Sequence, residues 1–408
     1  MSSLSDKLKS LGLQIGAKGI SPPSNSPPTD PLIDVLPGYW KPTPHGDTFI
    51  VENQYPLDYS LGSVSLQPSI YTPPLTKWLK NPALEHTPLD HFAFIDTETT
   101  GLSGGAGVYV FLIGVGRFID DHFQISQFFL SDPAQETAQL SALEEYLAPA
   151  EVVVSYNGKS FDLPRLKTRY RAHRWPPPLQ EISHIDLLHL ARRLWKNRLS
   201  SCTLGDIEYN ILNFERSEED VPGWQVSDLF HEYIHTQNPK PLKQVFYHNE
   251  MDVLSMVGIL NRISTLLNPG SACQTDHPEE LSSVGKFYAD LKEPKTAINL
   301  LEESLTRFDS VSDPYLESLK TLSFLYKKSE NFEKAVSYWK EAAENEEYYA
   351  FLELAKYFEH RQKNFEEAIH WTLSAISIID STAGKAHQSQ AHKSDLEHRL
   401  NRLKGKAS

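Results

Sequence analysis

The chain has 408 residues, 40% of them hydrophobic, and a formal net charge of −14. This length allows two or three domains with at least one sizeable core, and no apolar run approaches the roughly 18 residues that a membrane-spanning helix needs. Two cysteines are too few for a disulfide framework or a zinc site, and the acidic charge argues against coating of nucleic acid by bulk electrostatics. We therefore expect a cytoplasmic protein that does not contact membranes and that holds any metal through oxygen atoms.

The first part of the chain divides into a leader and a segment of short strands. Three leucines at helical spacing precede proline clusters, so we predict a disordered leader with a short amphipathic helix over 1–35. Over 36–88, prolines and glycines separate short aromatic or β-branched runs such as 47–51. We interpret 36–88 as a small strand and loop segment that packs on the next domain.

Residues 89–270 alternate between strand and helix patterns. Apolar runs predict strands over 91–95, 108–118, 123–129 and 151–156, with a helix over 135–147. Further along, the patterns predict a strand running into a helix over 182–195 and a long helix over 242–260. Three strands, a helix and a strand resemble the start of a ribonuclease H-like fold. We therefore predict an α/β domain with a mixed sheet flanked by helices.

The region 278–380 is predicted to be wholly helical and internally repeated. An aromatic residue and an alanine recur in three places: Tyr288 with Ala297, Tyr326 with Ala335, and Phe358 with Ala368. Alanine lets the second helix of a pair pack closely on the first. The pattern resembles tetratricopeptide (TPR) repeats, which implies an all-α helical-repeat domain with a surface for a protein partner. We interpret 381–408 as a polar C-terminal tail.

An apolar strand ends with two carboxylates, Asp96 and Glu98, two positions apart. Strand alternation places both on one face, where they repel each other unless a cation lies between them. A donor set made only of oxygen favours magnesium or manganese. Taken alone, the pair is equally well explained as a solvated strand end.

Two further motifs each carry an aspartate. In one, a buried strand and a polar turn lead into a helix that starts near Asp162, a position that also suits a simple N-cap. The other is an H-N-x-x-D sequence in which His248 and Asp252 lie one helical turn apart, as they also would on an ordinary charged surface helix. Each motif is weak on its own.

Together, the three motifs resemble those of the DEDD (DnaQ-like) exonuclease superfamily, in the same order and at comparable separations. The chain also resembles the YprB-type ribonuclease H-like group, through its glycine-rich 101–105 loop, its H-N-x-x-D motif and its repeat-containing tail. The resemblance implies that His248 orients or deprotonates the attacking water. It implies that two Mg²⁺ or Mn²⁺ ions are held by Asp96, Glu98, Asp162 and Asp252.

The function implied by the resemblance is metal-dependent hydrolysis of phosphodiester bonds, by a 3′–5′ exonuclease on single-stranded DNA or RNA. The alternative is a catalytically weak or inactive nucleic-acid-binding adaptor that recruits a protein partner through its repeats, which the presence of all four carboxylates disfavours. An endonuclease acting on structured nucleic acid is a further alternative. Because the repeats form an independent pattern, we expect a chain cut after about residue 275 to keep some nuclease activity.

The general base departs from the superfamily pattern. That pattern has a tyrosine four residues, or a histidine five residues, before the last aspartate, whereas here His248 has the tyrosine spacing and Tyr247 the histidine spacing. The base is therefore His248, Tyr247 or no side chain at all. We expect Tyr247 to point into the core beside Phe246.

Residues 159–198 contain ten lysines and arginines against three acidic residues, which predicts a local basic face. The candidate substrate-binding residues are Thr97, Asn157, Lys159 and Arg165, although solvated surface charge explains the last three comparably well. We expect Asp186 to be structural. The glycines of 104–107 lack the lysine of a phosphate-binding loop, so we expect them to let the backbone approach a substrate strand.

Overall fold

The computed structural model describes residues 31–101, 107–179, 182–269, 275–381 and 388–407. The predicted amphipathic helix of the leader and most of the glycine-rich loop lie outside these residues. Within the described ranges, no helix combines the length and the apolar composition needed to cross a bilayer.

The strands of the described chain are β1 (Gly38–Thr43), β2 (Gly46–Pro56), β3 (Ser60–Leu61), β4 (Val64–Ser65), β5 (Phe92–Thr99), β6 (Val110–Ile119), β7 (His122–Phe129), β8 (Val152–Ser155) and β9 (Ser183–Asp186). Seven of these described strands form one sheet in the order β1-β2-β7-β6-β5-β8-β9, and β3 pairs with β4. The pairs β1–β2, β2–β7, β7–β6 and β6–β5 are antiparallel, whereas β8 runs parallel to both of its neighbours, β5 and β9. The predicted mixed sheet is confirmed, and every strand predicted in 89–270 overlaps an observed one.

The segment 36–88 contributes strands to this sheet in addition to packing against it. β2 pairs with β7 from Phe49 opposite Phe129 to Pro56 opposite His122, and β1 pairs with β2 at the edge. The strand predicted over 47–51 therefore lies in β2, where 48–51 are buried. The segment widens the sheet by two strands.

The helices of the described chain are α1 (Thr72–Leu79), α2 (Glu136–Leu147), α3 (Asp162–Ala172), α4 (Leu187–Trp195), α5 (Leu204–Ile207), α6 (Gly223–Thr236), α7 (Leu242–Leu266), α8 (Pro278–Asp290), α9 (Pro294–Arg307), α10 (Asp313–Lys328), α11 (Phe332–Glu344), α12 (Tyr348–Tyr357), α13 (Phe365–Ser381) and α14 (Gln388–Ala407). π-helical turns follow α5 and α12, at Glu208–Leu212 and Phe358–Gln362. Short 3₁₀ turns lie at Pro82–His86, Leu89–His91 and Pro133–Gln135. The helices predicted over 135–147 and 242–260 are confirmed.

Alternation along β5 sends successive side chains to opposite faces of the sheet. Ala93 and Ile95 pack in a core cluster with side chains of α2 and α3, whereas Phe92 and Phe94 pack in another cluster with side chains of α4 and α7. Both faces of the central strand are therefore covered by helices. The same alternation continues into the polar residues at the end of β5.

The region after residue 278 is helical, as predicted, but its first two helices belong partly to the core of the sheet. Phe287 and Tyr288 of α8 and Ala297 of α9 lie in the same buried cluster as Trp195 of α4. Helices α10 to α14 share a separate cluster, which Leu301 of α9 also joins. The two cores therefore meet within α9, beyond the predicted domain boundary.

The alanines of the predicted repeats are all buried, and the predicted tail is a helix. Ala297, Ala335 and Ala368 have no exposed surface, as expected for small residues between packed helices. Residues 388–407 form α14, whose Arg402 donates to the buried Glu359 at 2.9 Å. This polar segment is therefore a helix, and charged contacts such as that between Arg402 and Glu359 hold it against the preceding helices.

Candidate active site

The end of β5 presents carboxylates to one face of the sheet and a threonine to the other. Asp96 accepts a hydrogen bond from Asn249 of α7, whereas Thr97 donates one to Asp162 of α3. Glu98 lies on the α7 side with Asp96, since alternation returns every second side chain to the same face. The arrangement of the pair follows the spacing that the sequence predicted.

Asp96 is held by Asn249, which has no exposed surface. The side-chain amide of Asn249 donates from Nδ2 to Asp96 Oδ2 at 2.8 Å, and its Oδ1 accepts from Gln127 Nε2 at 2.9 Å. Gly114 stands opposite Asp96 in β6, and a Cβ there would lie only 2.2 Å from Asn249 Oδ1. The glycine therefore makes room for the amide that orients the carboxylate.

Asp162 begins α3 and is 4% exposed. Its Oδ1 accepts a hydrogen bond from Thr97 Oγ1 at 2.5 Å, which ties α3 to the end of β5. Phe161 occupies the N-cap position, so the alternative interpretation of Asp162 as the cap is wrong. A carboxylate in the first turn also lies near the partial positive charge of the helix start.

The four carboxylates repel one another. Burial raises the pKa of Asp96 well above its ordinary value, and repulsion by the other three raises it further. Burial and repulsion by Asp252 and Asp162, partly opposed by attraction to His248, raise the pKa of Glu98 to about 8. Burial raises the pKa of Asp162 to about 6. Such perturbation is typical of carboxylates that share a functional site.

Arg216 lies among these carboxylates and was not among the predicted site residues. Its guanidinium donates to both oxygens of the buried Glu208, at 2.6 and 2.9 Å, and to Oδ1 of Asp252. Ser255 of α7 donates to the same Glu208 at 2.5 Å. The sequence signals Arg216 only weakly, as an arginine four residues before Asp220. The site therefore contains a cation of its own beside Asp252.

His248 is oriented by Asp220 and lies near Asp252. Its Nδ1 is 2.8 Å from Asp220 Oδ1, and its Nε2 is 4.0 Å from Asp252 Oδ2. Burial lowers the pKa of His248, but attraction to Asp252 and Glu98 outweighs burial and raises it. The carboxylates around the ring therefore control its charge.

Tyr247 does not lie beside Phe246 in the core. Tyr247 is half-buried and packs against the cluster that contains Phe92 and Phe94, whereas Phe246 belongs to a different cluster. The hydroxyl of Tyr247 accepts the backbone N–H of Ser217 at 3.3 Å. The predicted position was wrong because consecutive helical residues are about 100° apart and here face different cores.

Asp186 has the structural role that was expected. It is fully buried and caps α4, where its Oδ1 accepts the N–H of Leu188 at 3.1 Å. It also accepts the backbone N–H groups of Asn157 and Lys159, at 2.9 and 3.0 Å. These bonds fix the turn that leads into α3, while the side chains of Asn157 and Lys159 stay exposed.

The basic segment 159–198 carries less free charge than its composition predicts. Three of its arginines pair with acidic residues: Arg169 with buried Glu136, Arg193 with Asp290, and Arg198 with Glu280. The guanidinium of Arg165 stacks on the ring of Phe161, 3.1 Å from its centroid. The segment therefore keeps the exposed Lys159, Arg171, Arg174, Arg192 and Lys196 at its surface, while three arginines are taken up by ion pairs.

Comparisons with known proteins identify the family. Over 373 residues the chain is 36% identical to "Uncharacterized protein YprB" of Bacillus subtilis (strain 168), which covers 88% of this chain and 86% of that protein. The chain belongs to the YprB family. Residues 93–264 match the RNase H superfamily, and this range contains all four carboxylates and Arg216. The family B DNA polymerase of Pyrobaculum calidifontis matches 54% of this chain and 29% of its own, with 16% identity and a TM-score of 0.34.

The chemistry of the donor set in this YprB-family chain suits hard divalent cations, which RNase H-like nucleases generally use. In the described part of the chain, no group of three or more His, Cys, Asp or Glu side chains is arranged to hold a metal ion. Arg216 engages Asp252 and Asn249 engages Asp96.

Proposed function

We propose that this chain is a metal-dependent exonuclease of the DEDD type that removes nucleotides from the 3′ end of single-stranded DNA or RNA. Its RNase H superfamily domain supports a hydrolase that acts on nucleic acid. The observation that carries the finer proposal is one electrostatic cluster of four carboxylates drawn from β5, α3 and α7. Phosphodiester hydrolysis builds negative charge on two oxygens, and such a cluster suits the cations that stabilise it.

The residues proposed to hold two Mg²⁺ or Mn²⁺ ions are Asp96, Glu98, Asp162 and Asp252. When bound, these ions supply Lewis-acid stabilisation of the attacking and leaving oxygens. The protein supplies the positioning. Asn249 orients Asp96 and Thr97 orients Asp162, so two of the carboxylates are aligned before substrate arrives.

We assign the general base to His248. Asp220 contacts Nδ1 and so fixes the ring, which leaves Nε2 on the side of Asp252 to accept a proton from water. The negative charges of Asp252 and Glu98 raise the pKa of His248. Cations bound to these carboxylates would offset that effect, so that the imidazole is neutral and can accept a proton. Tyr247 is the weaker candidate because its hydroxyl contacts the backbone of Ser217.

The C-terminal helices are proposed to form a TPR-like surface for a protein partner, in a cytoplasmic protein. The three aromatic-to-alanine steps fall on three consecutive pairs of helices, and each alanine is buried. Helices α10 to α14 have a core cluster separate from that of most of the sheet, which leaves their outer surface available for a partner.

The test of the nuclease is degradation of end-labelled single-stranded DNA and RNA by the full chain with Mg²⁺ or Mn²⁺. We expect the wild type to shorten one or both polymers from the 3′ end. The variant carrying both Asp96→Ala and Asp252→Ala should leave them intact. Asp228→Ala removes an exposed carboxylate of α6 and is the matched control, which should keep full activity.

Two results would redirect the proposal. Cleavage of a circular single strand, which has no ends, would show an endonuclease. Retained binding of intact strands with no degradation in any lane would contradict the nuclease and support the adaptor that recruits a partner through its repeats.

A further inference from the structure

A cavity of about 430 Å³ lies beside the proposed catalytic residues. Asp252 and His248 form part of its lining, and Tyr209, Phe214 and Gly223 also line it. Its volume falls in the range typical of small-ligand sites. The cavity is built mainly by the segment between α4 and α7, for which the sequence carried no motif.

An aromatic side chain that lines this cavity is exposed to solvent. Tyr209, in the lining, is 65% exposed, and Trp224, which follows the lining residue Gly223, is 73% exposed. A Cβ at Gly223 would lie 3.6 Å from His248 Nε2, so the start of α6 is next to the proposed base. The ring of Tyr209 is therefore open to solvent at a cavity that also contains His248 and Asp252.

The backbone that presents Tyr209 is the π-helical turn Glu208–Leu212. Its first residue, Glu208, is 3% exposed and accepts from Arg216, whereas the next residue, Tyr209, faces solvent. Arg216 in turn contacts Asp252. π-helical turns are rare and occur frequently at functional sites. This turn holds the exposed ring at a defined position relative to the carboxylates.

The charges of the lining favour a base over a phosphate. Four carboxylates line the cavity, whereas the basic residues among its described lining are Arg216 and His248, and both contact carboxylates. Without a bound cation this lining repels a phosphate group, so the phosphate belongs beside Asp252, the lining carboxylate that is proposed to bind a cation. The uncharged face of a nucleobase, in contrast, stacks favourably on an aromatic ring.

We propose that this cavity is a subsite for one nucleobase of a single-stranded substrate, which stacks on Tyr209. The proposal rests on the proposed nuclease function, because it places the phosphodiester of the same nucleotide at Asp96 and Asp252. Stacking tolerates any base, since every base has a π face. A paired base inside a duplex is not free to enter, so the subsite selects single strands.

The test compares two single strands bound to the full chain with calcium, by fluorescence anisotropy, with a gel to verify that the strands stay uncut. One strand is intact and the other lacks the base of its 3′-terminal nucleotide. We expect the wild type to bind the intact strand about 10-fold more tightly, the effect of stacking one base. Tyr209→Ala should bind both strands equally, and Tyr209→Phe should keep the difference.

Phe324→Ala is the matched control, since it removes an exposed aromatic side chain of α10 far along the chain and should behave as the wild type does. An undiminished difference in Tyr209→Ala, or no difference in the wild type, would overturn the subsite. Base discrimination without cleavage of any strand in Mg²⁺ or Mn²⁺ would contradict the nuclease and leave the subsite standing. Cleavage of the strands without any difference in binding between them would support the nuclease and contradict the subsite.

Discussion

The guanidinium of Arg216 donates a hydrogen bond to Oδ1 of Asp252, and both oxygens of Glu208 hold it from another side. Glu208 is only 3% exposed, so the charges of this pair are largely removed from water. A buried charge is tolerated only while its partner is present. Arg216 therefore links the stability of the fold to a carboxylate that we propose as a metal ligand.

Replacing Arg216 by methionine should destabilise the fold by about 3 kcal/mol, because Glu208 is left as an unpaired buried carboxylate. Adding Glu208→Gln to Arg216→Met should recover most of this loss, since residue 208 then carries no buried charge. Urea unfolding of the wild type and the two variants measures both effects. If Arg216→Met alone is as stable as the wild type, Glu208 is hydrated in solution.

Gly114→Ala should lower stability by about 1–3 kcal/mol, because its Cβ would meet the buried amide of Asn249 at 2.2 Å. The shift of that amide should also misplace Asp96 and reduce nuclease activity. Gly405→Ala in α14 is the matched control, since its Cβ would meet nothing within 4 Å. We expect this control to be neutral or stabilised by about 0.5–1 kcal/mol in thermal unfolding. Identical melting of the two variants would contradict the packing argument.

Manganese should raise the melting temperature of the wild type above its value in EDTA. A ligand that binds only the folded state stabilises it by about 2.7 kcal/mol at a concentration 100 times its Kd. The variant with Asp96→Asn and Asp252→Asn should lose most of this increase, whereas Asp228→Asn should retain it. The measurement is differential scanning fluorimetry over a range of Mn²⁺ concentrations. Equal shifts in all three proteins would place the ions elsewhere.

In EDTA, stability should fall as the pH rises from about 4.5 to about 8. The folded-state pKa of Glu98 is about 8, above its ordinary value of 4.5, so the folded chain binds more protons than the unfolded chain in this window. Asp162 has a folded-state pKa of about 6, so it makes the fall in stability steeper in the lower half of this pH range. Glu98→Gln should be more stable than the wild type at pH 8. A wild-type stability that increases across this window would refute the burial of Glu98 among like charges.

A chain that ends at residue 310 should fold, whereas one that ends at residue 276 should aggregate. The shorter chain loses Val284, Phe287 and Tyr288 from the core cluster of the sheet. Each such side chain contributes about 1.5–3 kcal/mol when buried, and the sum approaches the whole stability of a domain. Gel filtration and thermal melting compare the two. A monomeric, cooperatively melting shorter chain would support the boundary near 275 that the repeat pattern predicted.

The residues that sequence reasoning found are those placed by local geometry. Asp96 and Glu98 share a face because strands alternate, and His248 and Asp252 share one because four residues make about one helical turn. Glu208 and Arg216 were not predicted as site residues, because their pairing depends on a π-helical turn and an irregular segment that leave no periodic signal. Tyr247 was misplaced because the pattern of α7 does not reveal which core each face meets.

Within 89–270, the sequence by itself determined the order of the predicted strands and helices and the face on which each motif residue lies, since these follow from short-range periodicity. Only the tertiary structure decided that Asn249 reaches Asp96, that Arg216 reaches Asp252 and that the core of the sheet continues into α9. Those contacts join residues far apart in the chain. Their strength depends on burial, which raises the pKa values of the carboxylates and which no local pattern encodes.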